Sequence, residues 1–342
     1  MSSDNQVELN QVKTLTAYTD EDLSNYINNI KRPLVLKGLV DEWPIISETK
    51  QSNAKLKEYL LKWSRSIQVG IGKIPWTEKG RLFYNSDLSG FNFERSSCDF
   101  SGFISALFSQ EEHKKPYGYY MGSTHIDHLM PEFKQSHNIK ALSNKNALSS
   151  IWISNQTSIA AHQDFPNNLA CCIAGKRRFT LFPPEQIDNL YIGPLDHTPA
   201  GQPISLVDLN NPDFVKYPKF KYALENAFVA ELEPGDALLL PSLWWHAVDS
   251  LTSCNVLINY WWQNTANYTD SPYDALYHAL LSISNLSTDQ QQAVKSMFDY
   301  YIFNGDSKAL THIPEDKLGI LEKDSKLAAR KIRSLLLNKL NR

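Results

Sequence analysis

Hydrophobic and polar positions follow different periods along the chain. From about residue 150 the runs "SIWISNQ", "SIAAHQD", "NLACCIAG" and "RRFTLFPP" succeed one another, bounded by Asn, Gly and Pro, the mark of strands closed by turns. A second set, "AFVAELE", "ALLLP", "WWHAVDSL" and "NVLINYWWQ", follows, with "EPGD" as a turn. Between the sets, residues 185–226 are rich in Pro, Asp and Asn and read as a long irregular insert. Many short strands with tight turns predict an antiparallel sandwich or barrel. Upstream the pattern is mixed. Helices are expected over 20–30, 54–63 and 100–109, and strands in "RPLVLKGLV", 67–72 and 117–123. After 270 the period becomes helical. "SPYDALYHALLSIS" comes first, then a helix opened by a Ser287/Gln290 capping box and ending near Gly305. A last segment places Ala328, Ile332, Leu335, Leu336 and Leu340 on one face.

The 342 residues suffice for one large domain with an appendage. The expected class is mainly β with flanking helices (α+β): a mixed segment over 1–115, a strand core over 116–265 and a helical region over 266–342. The formal net charge of −3 provides no general attraction to nucleic acid or membrane, although residues 322–342 carry seven Lys/Arg against two Asp/Glu. There is no CxxC motif, and Cys171 and Cys172 are adjacent, so on a strand they point to opposite faces. Reduced thiols and a cytoplasmic setting are expected. The polar N-terminus has no signal core, and no apolar run approaches the roughly 20 residues of a spanning helix.

Against this apolar background His162 and Asp164 are unexpected. Side chains alternate along a strand, so the two share a face and can grip one object. His246, on a later strand, offers a third ligand. Two His and one carboxylate that leave coordination positions open form the facial triad of non-haem Fe(II) oxygenases. Alone, an HxD is more often a surface or core pair, and a His among tryptophans a packed one. Their joint placement on a strand series is what points to a metal. His125, Asp127 and His128 are a weaker second cluster, and the remaining histidines are read as structural. Gln163 and the Trp244–Trp245 pair could wall the site, with core packing the stronger reading for the tryptophans.

Residues 150–262, through "HQD", "GKRRFTLFPPEQ", "VDLNNPDFVKYPKF", "ELEPGDALLLPSLWWHAVDSL" and "NVLINYWW", resemble the JmjC, cupin-8-type 2-oxoglutarate oxygenases. Within these they look most like the asparaginyl-hydroxylase branch that acts on hypoxia-inducible factor. "RPLVLKGLVDEWP" and "YYMG" extend the likeness over roughly 20–265. The resemblance implies a double-stranded β-helix (jelly-roll) core, with Fe(II) held by His162, Asp164 and His246. It implies 2-oxoglutarate and O2 as co-substrates, succinate and CO2 as products, and hydroxylation or demethylation of a C–H bond. Tyr120, Asn168 and Asn259 fall on positions that contact 2-oxoglutarate. The lysine that pairs with its distal carboxylate falls on Arg177, with Lys176 the alternative if the register slips. Ile159 replaces a hydroxyl residue that often touches the co-substrate.

Two other classes stay open: a metal-binding cupin of another reaction class, and a non-catalytic binding module. The substrate is expected to be a protein, a peptide or a small molecule. Related hydroxylases pair through C-terminal helices, so the resemblance implies a homodimer formed by the helices after 270.

Overall fold

The computed structural model describes residues 9–266, 268–303 and 310–341. Eight strands make the core: β1 Leu148–Ser154, β2 Ser158–Gln163, β3 Asn167–Ala174, β4 Arg177–Phe182, β5 Phe228–Leu232, β6 Ala237–Leu240, β7 Trp245–Ser250 and β8 Asn255–Trp262. They lie in two facing antiparallel sheets, ordered β5-β4-β7-β2 and β6-β3-β8-β1. This alternation of strands between two sheets is the jelly roll.

Both sheets are extended by strands from the N-terminal part of the chain. Asn10–Gln11 pairs with β5 and Arg81–Leu82 with β2, both in parallel. The larger sheet gains Lys13–Leu15 and Leu34–Leu36 beyond β6, and Gly118–His125, Gln68–Ile74 and Glu94–Asp99 beyond β1. The pattern along the chain did not show the shortest of these, because two residues display no period. Glu94–Asp99 escaped because its first four residues are exposed. The insert is not wholly irregular. It contains a 3-10 turn, Pro184–Asn189, and a short helix, Phe220–Glu225. That helix buries Phe220, Ala223 and Leu224 against a cluster that includes Phe182 and Trp245.

β3 explains how the barrel is filled. It is buried along its whole length and hydrogen-bonded on both sides, which is why its sequence is continuously apolar rather than alternating. Leu169, Cys171 and Ile173 face a helix-covered cluster, while Ala170 and Cys172 face the barrel interior with Phe179, Leu181, Leu238 and Leu240. The adjacent cysteines do point to opposite faces, and all four cysteines are free thiols. Gly175 turns β3 into β4 at φ +75°, and a Cβ there would lie 2.3 Å from the Cys254 carbonyl oxygen. Only glycine fits that turn, and the turn sets where Arg177 begins β4.

Residues 264–342 form a second compact unit. It contains the helices Pro272–Ile283, Thr288–Phe298 and Lys326–Leu340. The Ser287/Gln290 capping box forms, and the second helix runs on into a π turn, Asp299–Phe303. Gly305, the expected stop, lies outside the described residues. No side chain of the first two helices is buried, and in the last only Ala328 is. No described helix is long and apolar enough to cross a membrane.

Candidate metal and co-substrate site

β2 and β7 are neighbours in the smaller sheet, and their register sets His162 directly opposite His246. The two rings stand 4.2 Å apart, centroid to centroid. Asp164 lies just past the end of β2, and its Oδ2 is 3.7 Å from His246 Nε2. One ligand atom from each of His162, Asp164 and His246 lies within 4.8 Å of the others, and among the described residues no other such group forms. His125, Asp127 and His128 therefore do not assemble as a site. Asp127 is instead paired with Lys134 at 2.7 Å.

The backbone prepares these ligands. His162 Nδ1–H donates to the Ala160 carbonyl at 2.9 Å, and His246 Nδ1–H donates to the Trp244 carbonyl at 3.1 Å. Each bond fixes the tautomer that leaves Nε2 as a lone pair. Burial and the facing His162 imidazole hold His246 well below the ordinary histidine range, so that lone pair stays unprotonated. The turn before β7 is pinned to Asp164, because the Leu243 N–H donates to the Asp164 carbonyl at 2.9 Å. Leu243 adopts φ +63° to do so, a strained backbone for a residue with a Cβ. Two imidazoles and a carboxylate, already aimed at one another, are a donor set that suits a divalent iron.

The inner chamber beside the triad is lined by Tyr120, Asn168, Arg177 and Asn259 together with the three ligands. Arg177 is 4 % exposed, and its Nε and Nη2 have no hydrogen-bond partner among the described residues. Burial lowers its pKa, but a guanidinium starts high enough to remain charged. A buried cation with unspent donors calls for an anion. Asn168 Oδ1 is also without a partner, whereas Asn259 Oδ1 accepts from Trp152 Nε1 at 2.8 Å. Burial raises the Tyr120 pKa, leaving its phenol a donor. Lys176 takes no part in this lining. Its Nζ pairs with Glu233 at 2.9 Å, and its side chain is 42 % exposed.

Several lining residues escaped the sequence reading. Trp152 and Trp261 form walls, their rings 5.8 Å apart at 79°. Trp261 was within reach of the strand period, since it lies two residues after Asn259 on the same face. Thr157 and Ser250 also line the chamber with Ile159, their hydroxyls bonded to each other and to Ser154. The Trp244–Trp245 pair packs instead. Trp245 donates to the Pro184 carbonyl at 3.4 Å, and Trp244 sits 6.1 Å from Phe228.

The inner chamber is tight, at about 60 Å³. It adjoins an outer vestibule of about 250 Å³ that shares Tyr120, Trp152, Ile159 and Trp261 and adds Leu82, Pro199, Gln202 and Ile204. Larger cavities, about 950 and 550 Å³, lie elsewhere and hold no metal-ligating group of this kind, so volume alone does not locate the site.

Fold and site together define the class: a jelly-roll cupin carrying a two-histidine, one-carboxylate cluster. The chain matches the Cupin-like domain over residues 21–268 and belongs to that family. It is 26 % identical to the Arabidopsis thaliana lysine-specific demethylase JMJ31 over 319 residues, 82 % of this chain and 56 % of the relative. It is 27 % identical to the Homo sapiens HSPB1-associated protein 1 over 260 residues, 71 % of this chain and 50 % of the relative. Over a shorter stretch of 103 residues, 30 % of each chain, it is 34 % identical to the Homo sapiens tRNA wybutosine-synthesizing protein 5. The chain thus spans about half the length of the first two.

Proposed function

We propose that this chain is an Fe(II)- and 2-oxoglutarate-dependent oxygenase that hydroxylates a protein side chain or a small molecule. The observation that carries the reading is the pairing of the triad with Arg177, a buried guanidinium whose Nε and Nη2 lack hydrogen-bond partners among the described residues, in the same chamber. A metal site needs only the triad. A buried cation beside it suits a co-substrate with a second, distal carboxylate.

Bound iron would supply O2 activation coupled to oxidative decarboxylation of 2-oxoglutarate. The chain's own residues do the rest. His162, Asp164 and His246 hold the metal, with Nδ1–H of each imidazole kept on a backbone carbonyl. The Arg177 fork takes the distal carboxylate, and Tyr120 and the two asparagines provide hydrogen bonds around it. Trp152 and Trp261 exclude water from the chamber. The relatives' printed names differ in what they act on, so the substrate is to be sought by screening. The purified protein with Fe(II) and 2-oxoglutarate should release succinate with at least one peptide or small-molecule substrate, and the His162→Ala variant should not. Release that is undiminished in that variant would overturn the reading.

The helical unit supports a further element, pairing of two chains. Ile332, Leu335, Leu336 and Leu340 are 39 %, 48 %, 37 % and 52 % exposed. Such a stripe on one helix is costly to leave in water, and a two-fold axis covers it by using the same face twice.

A further inference from the structure

The insert returns to the metal site through one short strap, residues 197–205. Its outer end is clamped. Tyr84 Oη donates to the His197 carbonyl at 2.6 Å, and Arg95 Nη2 donates to the Thr198 carbonyl at 3.0 Å. The His197 ring stacks on Phe91 at 4.7 Å. Its inner end is bridged to the ligand strand, with Ile204 paired to His162 and the Ser205 N–H donating to the Ala161 carbonyl at 2.7 Å. Between these anchors, Gln202 Nε2 donates to Asp164 Oδ1 at 2.9 Å.

A carboxylate can turn either oxygen, or both, toward a metal. Here the two oxygens are already different. Oδ2 faces His246 Nε2 at 3.7 Å, while Oδ1 is taken by the Gln202 amide. An ionised carboxylate only accepts, so the amide nitrogen must be the group that faces it. We propose that Gln202 is a positioning residue: by occupying Oδ1 it holds Asp164 as a one-oxygen ligand, and it links the strap over the vestibule to the metal. The inference rests on the triad's being the metal site, as proposed above. Hydrogen-bond partners of metal ligands are worth 10–100-fold in metal affinity.

The test is a Co(II) titration of metal-free protein, read as a dissociation constant and as the visible d–d spectrum. Gln202→Leu and Gln202→Met, similar in size but without a donor, should each weaken binding about tenfold or more and alter the bands. Tyr84→Phe loosens the strap but keeps the amide, and should change neither. If both Gln202 variants bind Co(II) as the wild type does, with an unchanged spectrum, the proposal fails. It also fails if Tyr84→Phe matches them, since the strap alone would then be responsible. His162→Ala separates the two readings, because Co(II) binding that survives it overturns the metal site itself.

Discussion

His162 and His246 stand opposite each other in an antiparallel ladder, and their rings meet at 4.2 Å with both Nδ1 atoms tied to backbone carbonyls. Two imidazoles aimed at one point repel each other when protonated and gain nothing from packing alone. The geometry makes sense as a receptor for a cation.

His162→Ala and Asp164→Ala should therefore abolish turnover and weaken metal binding while leaving the fold intact. Both residues are only partly buried, and both line the chamber rather than the packed core. Succinate release, metal titration and far-UV circular dichroism on the same preparations check this. Full activity in either variant would refute the ligand set.

Arg177→Ala should raise the apparent KM for 2-oxoglutarate far more than it perturbs metal binding. Losing a charged hydrogen bond costs about 1.5–3 kcal/mol, which is roughly ten- to a hundredfold in KM. Lys176→Ala should change it little, because that side chain is exposed and paired with Glu233. The reverse pattern would move the anion site by one residue.

His137 should make stability fall in mild acid. It is 1 % exposed, its Nδ1 lies 2.9 Å from the Phe133 carbonyl, and its Nε2 accepts the Ile45 N–H at 3.3 Å. Burial lowers its pKa below the roughly 6.5 of an unfolded histidine. The unfolded chain thus takes up the proton first, so the contribution is complete above about pH 6.5 and is lost as pH falls below it. Melting temperatures from pH 7.5 to 5 should show a steeper acid slope in the wild type than in His137→Gln. Equal slopes would count against a neutral buried imidazole.

The protein should sediment at about twice its 39.0 kDa chain mass. Leu336→Glu combined with Leu340→Glu should shift it toward monomer, since each buried aliphatic is worth roughly 1.5–3 kcal/mol. A wild-type chain that stays monomeric at tens of micromolar would contradict pairing.

Much of this site could be read in the chain itself. Period two put His162 and Asp164 on one face, and the strand run over 148–262 was legible because both barrel faces are apolar. The capping box at Ser287 was visible because its two partners are three residues apart. The choice between Lys176 and Arg177 was harder, because period two fixes opposite faces without saying which is the inner one. Gln202 gave no signal at all. It lies in a segment with no period, 38 residues from the carboxylate it meets. Trp244 and Trp245 pack in the core, the stronger of the two readings that their apolar strand context offered.

β3, paired on both edges and covered on both faces, has a consequence for motion. Amide hydrogens exchange with solvent only where backbone bonds open, and the most enclosed strands open last. The Leu169–Cys172 amides should thus be among the slowest in the chain to take up deuterium. Asn168, carried on that strand, is held on a nearly immobile frame. The strap at 197–205 has fewer ladder bonds, so its amides should exchange sooner. Strap and strand then differ in tempo while both ends of the site meet at one carboxylate.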